Sequence, residues 1–129
     1  MALSSCSDGE AISNGIIATF PATITVYGIS DILEFRNSGQ FVCEVPGVYL
    51  FSVHILSESS YAFYQMLKNN IHLSYVHVIY TRHTIHLDRH TGTGVMAVQL
   101  NVGDTLYVKA LSNMYIFGSY SCMTIIKIR

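Results

Sequence analysis

The chain is poor in charge, with 12% of its 129 residues charged, about half the share usual in soluble proteins. Solvating side chains are therefore scarce, and the missing cover is expected to come from contact between subunits. Seven Lys+Arg stand against eight Asp+Glu with no basic stripe, so the electrostatic footprint of a nucleic-acid binder is absent. No apolar run approaches the roughly 20 residues of a transmembrane helix, and the chain is read as not membrane-spanning. The first residues, MALSSCSDGEAISNG, lack the basic and apolar stretches of a secretory signal. Cysteine is sparse too. Cys6, Cys43 and Cys122 have no metal-ligand spacing, allow at most one internal bridge and leave at least one thiol over. Cys43 and Cys122 are read as small buried hydrophobes on strands, with the redox compartment left open. Catalytic signatures are also missing: there is no G-x-S-x-G elbow, H-E-x-x-H, phosphate loop or arranged carboxylate pair. A Cys43–His54 nucleophile pair would fall in segments that read as buried strand, where a thiol is inert and a histidine is a hydrogen-bonded core residue. The chain is read as no enzyme.

What is present is apolar and β-forming. Hydrophobic residues make up 50% of the sequence and the mean hydropathy is +0.38, while the length suits one domain that can bury a substantial core. Apolar runs are short, Tyr, Phe, Val, Ile and Thr are abundant, and turn signals recur about every 8–12 residues, the pattern of a sandwich or barrel. Strands are expected at about Ile16–Phe20, Ile24–Tyr27, Ile32–Phe35, Gln40–Glu44, Val48–Leu56, Tyr61–Leu67, His72–Tyr80, Thr93–Leu100, Thr105–Leu111 and Tyr120–Ile128. Residues 1–15 are expected to form a short, partly flexible segment ahead of one domain over 16–129.

Turns are expected at Asn37-Ser38-Gly39, at Pro46-Gly47, at Lys68-Asn69-Asn70 and from Asn101 to Asp104, where Gly or Asn can take φ > 0. The run Val48–Leu56 is apolar in both side-chain parities. Tyr49, Phe51, Val53 and Ile55 are the bulkier set and are expected to fill the core or abut a subunit interface.

Three blocks in order carry a family resemblance: GQFVCEVPGVYLFSVHI from Gly39 to Ile55, YQMLKNN from Tyr64 to Asn70, and TGTGVMAVQLNVGDTLYVKA from Thr91 to Ala110. They resemble the globular head of complement component one-q, a domain related to the tumour necrosis factor fold. The G-x-F, Pro-Gly and aromatic strand of that family match Gly39, Phe41, Pro46, Gly47, Tyr49 and Phe51, and its L-x-x-G-D matches Leu100, Gly103 and Asp104. The chain departs in having Asn69-Asn70 where Asn-Gly is common, in its last strand, and in lacking a collagen-like Gly-X-Y stalk. The resemblance implies an all-β, ten-stranded jelly-roll sandwich of two antiparallel sheets that assembles as a homotrimer and is secreted. It also raises calcium as a ligand. The turn residue Asp104 is then the candidate, but one carboxylate falls far short of the about six to eight oxygens required, so no cofactor is assigned.

The polar concentration with chemical potential is the region from Tyr80 to His90. It holds three of the six histidines and two of the seven basic residues. Arg82 and Arg89 offer planar donors to a carboxylate or sulfate, while Tyr80, His83, His86, Asp88 and His90 offer hydrogen bonds and ring faces to a sugar. The spacing His83-x-x-His86-x-x-x-His90 would also suit zinc, but no carboxylate motif accompanies it. A plain solvated loop in which Asp88 pairs with an arginine is the third reading. Tyr61, Phe63 and Tyr64 form a second contact candidate or part of the core. Taken with the resemblance, these residues point to a recognition module of innate-immune type. It would bind glycans or microbial surface molecules, acidic sugars such as sialic acid among them. The alternatives are a cytokine-like ligand for a protein receptor and a structural trimerisation head.

Overall fold

The longest strand, β5 (Gly47–Ser57), alternates strictly: Tyr49, Phe51, Val53 and Ile55 are fully buried, while Val48, Leu50, Ser52, His54 and Leu56 are half-buried on the opposite side. That alternation divides the molecule, because one face of β5 lines the sandwich core and the other leaves it. In the computed structural model, which describes residues 1–58, 61–79 and 89–129, β5 lies in a five-stranded antiparallel sheet. Its neighbours there are β1 (Ala2–Cys6), β3 (Ala22–Tyr27), β8 (His90–Leu100) and β11 (Cys122–Lys127), in the order β3-β1-β11-β5-β8. The facing sheet, in the order β4-β9-β6-β7, contains β4 (Phe41–Val42), β6 (Ala62–Lys68), β7 (Ile71–Ile79) and β9 (Thr105–Ala110). β2 (Glu10–Ile12) and β10 (Met114–Ile116) pair as a short ribbon. The result is a jelly-roll-like sandwich with eleven strands among the described residues, one more than expected.

The core is the meeting of the two inner faces. Leu3, Phe51, Val53, Met123 and Ile125 from the first sheet pack with Phe41, Tyr64, Met66, Leu106 and Val108 from the second. Cys43 is fully buried and free, as the sequence indicates. The strand expected from Thr93 begins earlier, so that Thr91 and Gly92 are also part of β8. A Cβ at Gly92 would come within 2.8 Å of the His77 carbonyl oxygen, so glycine lets β8 pass close to β7.

Several expectations are corrected. Residues 32–35, expected as a strand, lie in α1 (Ile32–Ser38), which Asp31 caps by accepting from the Glu34 N–H at 3.1 Å. Gly39, expected in a turn, does take φ of 74°, but as the residue that ends this helix. Residues 16–20 form no strand and contribute a single bridge between Ile17 and Lys109. β1, from the segment placed ahead of the domain, pairs with β3 on one side and β11 on the other. Cys122 is bonded to Cys6, 116 residues away, rather than standing as a free hydrophobe. His54 is half-buried and points away from the core, with no hydrogen bond to its ring among the described residues.

Candidate recognition surface

The chain enters and leaves the sandwich at one end. Lys127 N–H donates to the Met1 carbonyl at 3.0 Å and Val48 N–H to that of Arg129 at 2.8 Å, which places both termini beside the start of β5. β5 then runs the length of the sheet to Ser57, whose partner in register is His90. Arg89 and His90 therefore lie at the end remote from the termini, and both are exposed. Tyr80, Arg82, His83, His86 and Asp88 lie outside the described residues.

Arg89 is held in a specific setting. Its Nε lies 3.5 Å from Glu58 Oε2, and its guanidinium carbon sits 4.7 Å from the centre of the Phe117 ring. The pair is open to water, with side-chain exposures of 59% and 40%, so its stabilising value is small. Stacking on the ring orients the planar cation and leaves the guanidinium's other N–H groups open to solvent. Phe117 also packs edge-on to Tyr115 at 5.1 Å and donates its N–H to Leu56 O at 3.1 Å.

The turn after Phe117 is braced by Ser119 N–H to Ser7 O at 3.0 Å, Ser7 N–H to Ser121 O at 2.8 Å, and Leu56 N–H to Ser121 Oγ at 2.9 Å. The Cys6–Cys122 bond anchors the same corner. Phe117 carries no sequence signal, because its contact is with a residue 28 positions earlier.

At the same end, the outer face of the second sheet carries an aromatic strip. Phe63 stacks on His77 at 5.2 Å with the planes 22° apart, and Tyr61 meets Phe63 edge-on at 5.1 Å. Further along β7, His72 and Tyr75 are in ring contact at 3.8 Å. Tyr64 does not join this strip. It turns into the core, where its hydroxyl donates to the carbonyls of Gly92 at 2.9 Å and Val53 at 3.2 Å, and burial pushes its pKa well above the ordinary value.

Asp104, the residue considered for calcium, is committed within its turn. Its carboxylate accepts from Asn101 N–H at 2.8 Å and from Asn69 Nδ2 at 3.2 Å, with Lys68 Nζ at 3.8 Å. These contacts, the Asn101 N–H first, hold its pKa below the usual carboxylate value. Among the described residues no three His, Cys, Asp or Glu side chains gather as a metal site.

The chain is thus a two-sheet antiparallel jelly roll with an aromatic and cationic surface at the end away from Met1 and Arg129. The chain belongs to the C1q domain family, whose model matches residues 34–124. C1q domains are in general non-enzymatic recognition modules that form trimers, and C1q domain proteins are typically secreted or extracellular. The globular domain of zebrafish complement 1qA is similar over 99% of this chain and 97% of that one, with a TM-score of 0.78 and 16% identity. Eiger, a tumour necrosis factor of S. frugiperda, is similar over 100% and 92%, with a TM-score of 0.72 and 12% identity. Murine APRIL at pH 5.0 is similar over 98% of both chains, with a TM-score of 0.73 and 11% identity. At these identities the likeness is one of fold. No curated protein sequence matches the chain. Among the described residues, no helix is long and apolar enough to cross a membrane.

Proposed function

We propose that the protein is a secreted, homotrimeric, non-catalytic recognition module that binds glycans bearing an acidic group, of the sialic acid kind, at the end remote from its termini. The observation that carries this reading is the Arg89 guanidinium lying on Phe117 at 4.7 Å at the same end as the Tyr61–Phe63–His77 strip. A planar cation answers a sugar carboxylate, and ring faces answer the apolar C–H faces of a pyranose. His90 and the sequence-adjacent Tyr80, Arg82, His83, His86 and Asp88 are assigned to the same site.

The trimer is supported by the outer face of the first sheet. Tyr27, Ala2, Ile126, Leu50 and Ala97 lie in register across it, and Thr25, Ser4, Thr124, Ser52 and Val95 form the next row. Neither row contains a charge, and Tyr27 and Val95 are 72% and 57% exposed in one chain. Such a face suits burial against a neighbour. Three copies of a weak site then act together, because the later contacts become effectively intramolecular.

A glycan array probed with the assembled protein tests the reading. Sialylated glycans are expected to be retained and their neutral counterparts not. The double substitution of Arg82 and Arg89 by Ala should weaken retention tenfold or more, about 1.4 kcal/mol. Unchanged retention, or none by the native protein, overturns it. The fold likeness to Eiger and APRIL favours a protein receptor as the second reading, and capture on host membranes that survives deglycosylation would select it.

A further inference from the structure

At the end of the second sheet nearer the termini, a cleft of about 400 Å³ opens between Ile17, Gln40, the Asn69-Asn70 turn, Tyr107 and Lys109. Its walls are largely polar. Asn69 sits at φ of 56°, and both ends of its amide are engaged: Oδ1 accepts from Thr105 N–H at 3.0 Å and Nδ2 donates one hydrogen to Asp104 Oδ1 at 3.2 Å. Asn70 is used by half. Its Oδ1 accepts the Tyr107 hydroxyl proton at 2.9 Å, which fixes the side chain and leaves the two Nδ2 hydrogens for something else. Among the described residues, neither the Lys109 ammonium nor the Gln40 amide has a side-chain partner. The nearby negative charge of Asp104 is spent on Asn101, Asn69 and Lys68.

The cleft thus holds a surplus of donors from three side chains, one of them a cation, beside the apolar edge of Ile17. A ligand that answers it must be rich in acceptors and carry a negative charge. The geometry points to a second saccharide site, separate from the loop end and specific for a carboxylated sugar, with Lys109 on the carboxylate and Asn70 and Gln40 on hydroxyl oxygens. The pre-set Asn70 rotamer lowers the ordering cost of binding. This assignment stands independently of the site around Arg89.

Amide-resolved NMR titration of the full chain with N-acetylneuraminic acid, glucuronic acid, neutral glucose and inorganic sulfate tests it. Both acidic sugars are expected to shift the amide signals of Asn69, Asn70, Tyr107 and Lys109, with glucose and sulfate binding at least tenfold more weakly. Lys109→Met and Asn70→Ala should each weaken the acidic sugars tenfold or more, and Asn70 is exposed enough for its truncation to leave the fold intact. Arg89→Ala should leave these shifts unchanged while abolishing those around Phe117, so failure of either site is read separately. No shift around Asn70, equal binding of sulfate alone, or native affinity in both cleft variants would overturn the assignment.

Discussion

Tyr49 and Tyr64 are buried with their hydroxyls satisfied inside the sandwich, and this ties stability to alkaline pH. Burial first, then the neighbouring Cys43, pushes the Tyr49 pKa up to about 12, and burial raises that of Tyr64 further. Both phenols stay protonated in the folded chain at pH values where an unfolded one ionises, near 10. Their contribution is therefore complete below about pH 10 and is lost as pH rises toward the folded value. Urea midpoints measured from pH 8 to 11.5 should fall steeply above pH 10. Tyr64→Phe should flatten that fall while costing about 1 kcal/mol at neutral pH, from the loss of its hydrogen bonds. A fall of equal steepness in the variant would deny Tyr64 this role. Asp104 has the opposite sign. Its lowered pKa contributes stability that is present above the ordinary carboxylate value and lost as pH falls through the folded one.

Among the elements, the Cys6–Cys122 bond ties β1 to β11 beside their paired register and closes nearly the whole chain. Replacing both cysteines by Ser should cost about 2–5 kcal/mol, since long loops gain most from closure, and a thermal melt under non-reducing conditions measures it. A change below about 1 kcal/mol would mean that strand pairing alone holds the corner. The legibility of the elements follows the same logic of local against distant causes. β5 to β9 were readable because alternation, β-branched and aromatic content and the Asn69 and Gly103 turns all agree within short windows. α1 is not legible: at seven residues it is too short for a period to emerge, although Asp31 and Gly39 bracket it as caps. β1 is not legible either, because Ala-Leu-Ser-Ser-Cys has little strand propensity and owes its shape to pairing on both sides. Of the proposed site, Arg89 and His90 are singled out by composition, whereas Phe117 and His77 enter it only through ring contacts that the fold delivers.

At the scale of the whole molecule, the low charge and the charge-free outer face of the first sheet belong together. Ile126, at the centre of a row and 40% exposed in one chain, is the position to probe. The native protein is expected to sediment as three 14.4 kDa chains at micromolar concentration. Ile126→Glu should yield folded monomers, because a buried unpaired carboxylate at each of three copies opposes assembly. Trimers of the variant would place the interface elsewhere. The placement of Met1 and Arg129 together, at the end opposite Arg89, has a practical side. A tag, bead or sensor chip coupled at Met1 or Arg129 of this chain leaves the Arg89 end toward the sample, so that immobilised copies share one orientation.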